Sequence, residues 1–97
     1  MGKNEKRGAF EVYGDIISAI NEEITEKGEA RLTRAQTRAN VPYPRFKDRA
    51  EVLRGRGLVK LTAQGNCVRM ELTDSGRIYL REYEHVKQFL RVFGLDR

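Results

Sequence analysis

Apolar residues recur at helical spacing near the start of the chain and predict a first helix over residues 9–27. Gly28 follows this segment and suits a residue that ends a helix in the left-handed conformation. Such a helix buries its apolar stripe and leaves the other face in water. The stripe consists of Phe10, Tyr13, Ile16, Ile17, Ile20 and Ile24.

A short strand and a short second helix are predicted to follow. Residues 29–32 are assigned to the strand, and Thr33 stands three residues before Gln36, which is the spacing of a capping box. We therefore expect Thr33 to cap a helix over residues 34–39. Asn40 then suits a left-handed exit from that helix, because Asn tolerates this conformation better than most residues.

Two prolines mark the start of a third helix, predicted over residues 44–54. Pro42 and Pro44 fit there because the first helical turn has N–H groups without helical partners. Gly55 and Gly57 are expected to end this helix. The side chains predicted to face inward are Phe46, Ala50 and Leu53, whereas Arg45, Lys47, Asp48, Glu51 and Arg54 stay outside.

A β-hairpin is predicted where the apolar pattern changes from helical spacing to strict alternation. Residues 58–63 and residues 67–73 each alternate apolar and polar side chains. The segment between them, Gln64, Gly65 and Asn66, has the composition of a turn. The hairpin therefore follows the third helix directly.

The last predicted helix covers residues 75–93, with Asp74 or Ser75 as its cap. Large apolar residues recur along it with heptad spacing, and Ile78 lies beside the stripe they form. The stripe could cover the first helix within one protomer. We favour a homodimer, because the first helix already needs its own stripe for the second and third helices. The predicted dimer interface consists of Tyr79, Tyr83, Val86, Phe89, Leu90 and Phe93.

The order of predicted elements is helix, short strand, helix, turn, helix, hairpin, helix. This order indicates a winged helix-turn-helix, which is an α+β, mostly α fold with a three-helix core and a β-hairpin wing. The 97 residues suffice for one domain. We divide the chain into a basic N-terminal arm (1–8), a winged helix-turn-helix DNA-binding domain (9–74) and a coiled-coil-like C-terminal dimerisation helix (75–97).

The segments TRAQTRANVPY (33–43), GRGLV (55–59) and LTDSGRIYL (72–80) resemble parts of a family of small archaeal winged-helix proteins. They are similar to its second helix and turn, to the Lys-Gly-Leu-Ile before its wing, and to the Leu-Thr-Glu-x-Gly-x-x-Phe-Leu after it. The resemblance implies a transcriptional regulator or a small basic chromatin-type DNA-binding protein that dimerises through its C-terminal helix. Pro42 departs from the family pattern, which has a Ser cap there.

Positive charge is concentrated in residues 31–60, where nine basic and two acidic side chains give a net +7, against +5 for the whole chain. The remainder of the chain is therefore net negative. A localised basic surface on a small helical motif is typical of a nucleic-acid binder. The outer face of the first helix is acidic and is expected to turn away from a phosphate backbone; it carries Glu11, Asp15, Glu22, Glu23 and Glu26.

The predicted DNA-binding side chains lie on the second helix, the third helix and the wing. Arg45, Lys47 and Arg49 are expected to face the major groove, where arginine can contact guanine. They could instead form an ordinary solvated face, with the stem of Arg49 against the core. Tyr43 either contacts a phosphate or fills the turn. The full set is Thr33, Arg34, Arg38, Tyr43, Arg45, Lys47, Arg49, Arg54, Gln64, Asn66 and Arg69.

No set of residues typical of an enzyme or a metal centre occurs in the sequence. His85 has no second ligand near it, and Asp74 suits a helix cap rather than an acid catalyst. Cys67 cannot form an intramolecular disulfide; redox sensing remains an alternative to a plain strand position. We expect no cofactor, metal, small-molecule ligand, secretory signal or membrane segment, and a cytoplasmic, nucleoid-associated protein.

The function predicted from these observations is sequence-specific binding of double-stranded DNA by a homodimeric transcriptional regulator. Asp48 and Glu51 in the third helix disfavour indiscriminate coating of DNA. The alternatives are a non-specific chromatin-type DNA-binding protein and a winged-helix module that docks another protein. RNA binding is also open, although aromatic residues that could stack on bases are sparse in the basic region.

Overall fold

The computed structural model describes residues 7–95, so most of the predicted basic arm lies outside the described residues. Within them, four helices surround a three-stranded sheet, and the predicted α+β winged helix-turn-helix is confirmed. The elements are α1 (Ala9–Lys27), β1 (Ala30–Arg31), α2 (Leu32–Ala39), α3 (Tyr43–Gly55), β2 (Val59–Gln64), β3 (Cys67–Leu72) and α4 (Asp74–Val92).

The three strands form one antiparallel sheet in the order β1-β3-β2. The strand β1 has only two residues, and its Ala30 pairs with Met70 of β3. Both residues are 1% exposed, so this edge of the sheet lies against the core. The short strand thereby fixes where the chain turns into α2.

The turn between β2 and β3 is shorter than predicted. Gln64 pairs with Cys67, which leaves only Gly65 and Asn66 between the two strands. Gly65 has a φ of 61°, a left-handed value that two-residue hairpin turns favour and that glycine adopts without strain. The tip of the wing is exposed to solvent, because the core ends at Val59 on β2.

The helix α1 forms one side of the core, and its predicted apolar stripe is confirmed at the centre. Ile16, Ile17 and Ile20 are fully buried. Phe46 and Leu53 of α3 pack into the same cluster, as the sequence predicts. Each fully buried side chain of this size contributes roughly 1.5–3 kcal/mol to folding, so this contact holds the two helices together.

The helix α2 begins two residues earlier than predicted, and Thr33 does not cap it. Arg31 is the N-cap, because the chain leaves β1 in an extended conformation and turns straight into the helix. The Thr33 carbonyl accepts a hydrogen bond from the Thr37 hydroxyl at 3.1 Å. The Gln36 amide donates to the Val41 carbonyl at 2.6 Å, at the opposite end of the helix. The predicted capping box is therefore wrong.

The residues predicted to end α1 and α2, and the prolines predicted at the start of α3, are confirmed in those positions. Gly28 and Asn40 are both left-handed, with φ values of 83° and 59°. Pro42 is the N-cap of α3 and provides no side-chain hydrogen bond. This is expected, because proline has no side-chain group that could replace the Ser cap of the motif it resembles. Pro44 lies in the first turn, where its missing N–H costs no helical hydrogen bond.

The cap of α4 is Thr73, so the predicted caps Asp74 and Ser75 are wrong. The Thr73 hydroxyl accepts from the Gly76 N–H at 3.0 Å and donates to the Gly57 carbonyl at 2.6 Å. Gly57 belongs to the turn after α3, so this cap is fixed by a tertiary contact rather than by local sequence.

The first half of α4 packs against α1. Leu80 and Tyr83 are 8% and 3% exposed, and the Tyr83 ring lies over Gly14. The Tyr83 hydroxyl donates to the Asp15 carboxylate, and burial together with this bond raises the pKa of Tyr83. Tyr83 is therefore buried against α1, which leaves it little exposed surface for the predicted dimer interface.

Arg7, at the end of the predicted arm, is held against the core. Its guanidinium forms an ion pair with Asp15 and donates to the Asn40 carbonyl at 2.8 Å. The contact joins the start of the chain to the turn between α2 and α3. Residues 1–6 of the predicted arm lie outside the described residues.

Replacing Gly14 with alanine should destabilise the protein by about 1–3 kcal/mol, because a Cβ there would overlap the Tyr83 ring. The melting temperature should fall by several degrees. Gly55→Ala is the matched control, since a Cβ at Gly55 meets no atom within 4 Å. Equal melting temperatures for the two variants would show that Tyr83 does not pack tightly on α1.

Candidate nucleic-acid interface

A groove of about 600 Å³ lies between the start of α2, the helix α3 and the hairpin. We call it the basic groove, because four of its lining side chains are cationic: Arg31, Arg34, Lys47 and Arg54. Its other lining residues are Leu32, Thr33, Tyr43, Glu51, Leu61, Ala63, Asn66, Cys67 and Val68. Six predicted DNA-binding residues therefore share one groove: Thr33, Arg34, Tyr43, Lys47, Arg54 and Asn66.

The start of α2 lines the basic groove and is expected to have a positive electrostatic potential. The first N–H groups of a helix have no helical partners, and the helix dipole adds partial positive charge there. No side chain caps α2, and its first turn contains no acidic residue. Thr33 and Arg34 lie in this turn, and both are exposed. The arrangement can bind an oxyanion without first losing an internal hydrogen bond.

Tyr43 and Lys47 lie on the α3 side of the basic groove. Tyr43 is 47% exposed and lies in the groove lining, whereas the turn between α2 and α3 is filled by Val41, which is 1% exposed. The Lys47 ammonium lies 5.8 Å from the centre of the Tyr43 ring. This distance permits a cation–π contact and leaves both polar ends in solvent.

Two of the four groove cations have carboxylate partners. Arg54 donates to Glu51 with an Nε to Oε1 distance of 2.9 Å, and Arg31 donates to Glu29 at 3.1 Å. The Arg54–Glu51 pair is exposed on both sides, so Arg54 can exchange its carboxylate for a phosphate at small cost, whereas Glu29 is half-buried and is shared with Arg69. Arg34 and Lys47 have no ion pair among residues 7–95.

Arg45 and Arg49 lie outside the basic groove, on the opposite flank of α3. A helix turns by about 100° per residue, so residues two apart along α3, such as Lys47 and Arg49, point in very different directions. The Arg49 guanidinium carbon lies 5.6 Å from the centre of the Tyr13 ring, and its buried Nε has no hydrogen-bond partner. The predicted alternative for Arg49, with its stem against the core, is the one that the structure adopts.

Arg38 also lies outside the basic groove, although it is on α2 with Arg34. Its guanidinium binds three carboxylates of α1, with distances of 3.2 Å to Glu22, 2.9 Å to Glu23 and 2.7 Å to Glu26. Hydrogen bonding and charge from Arg38 hold the pKa of Glu26 below its usual range. The same glutamates raise the pKa of Arg38. Arg38 thus joins α2 to α1, and its charge is neutralised by these glutamates.

The remaining wing residues of the prediction do not line the groove. Arg69 donates to Glu29 through Nε at 2.9 Å and through Nη2 at 2.6 Å. Hydrogen bonds from Arg69 and Arg31 hold the pKa of Glu29 below its usual range. Gln64 is exposed at the end of β2. Neither side chain adds free positive charge to the basic groove.

Two features of the basic groove were not predicted from the sequence: Arg31 as a site residue and the apolar floor. Arg31 is the N-cap of α2, and this position places it in the groove lining beside the start of that helix. The floor consists of Leu32 with three hairpin residues that alternate along β2 and β3. The same alternation, applied to the hairpin, would have identified Leu61, Ala63 and Val68 as the wing residues facing α3.

The second half of α4 exposes a contiguous set of apolar side chains, which we call the α4 apolar surface. Phe89 and Phe93 lie with their ring centres 4.9 Å apart. Their exposed fractions are 58% and 61%, and Val86 and Val92 are 40% and 65% exposed. Leu90 is half-buried, and Tyr79 is half-buried against α1. Five of the six predicted interface residues thus remain at least partly accessible.

Features typical of a metal, redox or membrane site are few within residues 7–95. No group of three or more His, Cys, Asp or Glu side chains is arranged to hold a metal ion there. Cys67 is a free, half-buried thiol at the edge of the basic groove. None of the described helices combines the length and the apolar character needed to cross a membrane.

Comparison with solved structures supports the fold. Neither a protein-family model nor a curated protein matches the chain. Among solved structures, the chain is similar to the M. tuberculosis transcriptional regulator MosR in complex with DNA, with a TM-score of 0.68 and 22% sequence identity. The match covers 82% of this chain and 56% of the MosR chain, so this chain spans just over half of that regulator's length. At this identity, the likeness supports the winged helix-turn-helix fold.

Proposed function

We propose that the chain binds double-stranded DNA as a homodimeric transcriptional regulator. The start of α3 enters the major groove, and the start of α2 and the wing contact phosphates on either side. The observation that carries the proposal is the basic groove, in which Arg31, Arg34, Lys47 and Arg54 converge from three elements beside an uncapped helix start.

The distribution of charge supports this placement. Arg38 is occupied by glutamates of α1, so the free positive charge of residues 31–60 is smaller than the sequence implies, and four of the nine basic residues in that segment line the basic groove. The acidic residues Glu22 and Glu26 lie on α1, away from the groove lining. A polyanion is therefore attracted to one side of the molecule.

The likeness to a regulator that was solved with DNA supports the same proposal, because the match covers 82% of this chain. Cytoplasmic, nucleoid-associated location follows from DNA binding. Membership in the archaeal winged-helix family stays a prediction from the sequence motifs.

Dimerisation is proposed through the α4 apolar surface. Monomeric soluble proteins seldom leave several large apolar side chains exposed side by side. An α4 helix from a second protomer, in the antiparallel arrangement, would cover Phe89 and Phe93 with identical residues. Two basic grooves would then face a single duplex.

The salt dependence of duplex binding tests the function. Four groove cations per protomer give six to eight phosphate contacts per dimer, so the logarithm of the affinity should fall with the logarithm of salt concentration at a slope of about −5 to −7. Fluorescence anisotropy with labelled duplexes over a range of salt concentrations measures the slope. A flat response, or no binding at low salt, would instead favour the protein-docking alternative.

A further inference from the structure

The side of α3 directly opposite the core carries a carboxylate rather than an arginine. The inward residues are Phe46, Ala50 and Leu53, and a turn of about 100° per residue places Asp48 almost diametrically opposite them. The same count places Lys47 and Arg54 on one flank of the helix and Arg45 with Arg49 on the other. A helix lying in the major groove with its core side away from DNA would therefore point Asp48 at the base edges.

Asp48 differs from the other acidic residue of α3. Glu51 accepts hydrogen bonds from Arg54 and is neutralised by it. Asp48 is exposed, and none of residues 7–95 forms a hydrogen bond or ion pair with its side chain. The helix also carries four basic side chains, which attract a polyanion. The carboxylate of Asp48 would repel that polyanion unless it met a hydrogen-bond donor there.

We infer that Asp48 determines base specificity by accepting a hydrogen bond from the N4 amino group of a cytosine in the major groove. The inference rests on the proposed function and deepens it. An ionised carboxylate only accepts hydrogen bonds. Guanine presents two acceptors and thymine one at the major-groove edge, and adenine places an acceptor beside its amino group, so cytosine is the base that fits.

The flanking cations fit this arrangement. Phosphates line both sides of the major groove, and Lys47 on one flank of α3 and Arg45 on the other are placed to meet them. Their contacts offset the repulsion between Asp48 and the DNA. The guanine contacts expected of Arg45 and Arg49 are replaced, in this inference, by a cytosine contact from the residue between them.

Selection of bound fragments from random duplex DNA tests the inference with four proteins: the natural chain, Asp48→Asn, Asp48→Ala and the control Glu84→Gln. The natural chain should enrich cytosine at one position per half-site, by about fivefold or more over other bases. Asp48→Asn should change that preference toward adenine, because Asn pairs with the amino group and N7 of adenine. Asp48→Ala should lose it, with the preferences at other positions unchanged.

The control variant and the possible contrary results distinguish a failure of the inference from a failure of the proposed function. Glu84 is an exposed carboxylate on α4, so Glu84→Gln makes the same charge change as Asp48→Asn away from α3 and should leave every preference unaltered. If the Asp48 variants bind all sequences more tightly with the same base preferences, Asp48 is merely repulsive and the inference is wrong. If the natural chain binds duplex DNA but enriches no sequence, the inference fails while duplex binding stands, and the chromatin-type alternative is favoured over a regulator. If the natural chain binds no duplex, the proposed function fails and the inference with it.

Discussion

Replacing Arg34 and Lys47 together with alanine should lower the affinity for duplex DNA by about a thousandfold at moderate salt. The two side chains belong to different helices, line the same groove and have no ion pairs among the described residues to lose. A homodimer would lose four phosphate contacts. The slope of log affinity against log salt should therefore become shallower by about 3.6, at about 0.9 per phosphate.

The matched control removes the same charge elsewhere. Arg81→Ala with Arg91→Ala deletes two exposed cations of α4, which lies outside the groove lining. The control protein should keep nearly the same salt slope and most of its affinity. Thermal melting of both double variants shows whether either has lost its fold. Equal losses of affinity in the two proteins would mean that binding follows net charge rather than the basic groove.

The parts of the fold that depend on local patterns could be predicted from the sequence. The stripe of α1 and the alternation of β2 and β3 each arise because one face of the element is buried, and burial requires the same periodicity that the sequence shows. Gly28 and Asn40 were identifiable as helix ends because few other residues adopt positive φ.

The helix caps could not be predicted, because both depend on contacts from elsewhere in the chain. The start of α2 is set by the pairing of β1 with β3, which makes Arg31 the last extended residue. The start of α4 is set by the Gly57 carbonyl, which holds the Thr73 hydroxyl. A capping motif gives only a local preference, and here tertiary contacts decided between neighbouring candidates.

The candidate site was partly predictable, and the misses have two different causes. Arg38 and Arg34 lie one turn apart on α2, and only the packing of α1 determines that Arg38 meets Glu22, Glu23 and Glu26. By contrast, the separation of Arg45 from Lys47 follows from helix geometry. It was available once Phe46, Ala50 and Leu53 had been assigned to the core.

The heptad stripe of α4 shows why an apolar pattern does not identify its partner. The pattern includes both Tyr83 and Phe89 but cannot tell whether α1 or a second protomer covers each of them. Tyr83 is covered by α1, because Gly14 has no side chain and the Tyr83 ring can lie directly on the helix there. No such partner within residues 7–95 covers Phe89, which is 58% exposed.

Replacing Phe89 with glutamate should therefore convert a homodimer to a monomer. Two copies of Phe89 would each lose roughly 1.5–3 kcal/mol of apolar burial, so the dimer dissociation constant should rise about 100-fold to 10,000-fold. Sedimentation equilibrium over a range of protein concentrations measures this constant directly. The fold of each protomer should persist, because Phe89 lies outside the core cluster of buried residues.

Gln88→Glu is the matched control for this substitution. It adds the same charge to the neighbouring position of α4, where the side chain is exposed and hydrogen-bonded to Arg91 at 3.0 Å. The control should remain a dimer, because no apolar surface is removed. A natural chain that is monomeric at every concentration would refute dimerisation itself. An unchanged dimer in the Phe89 variant would instead place the interface on another surface of the molecule. The two results are distinguishable, because the first concerns the natural chain and the second only the variant.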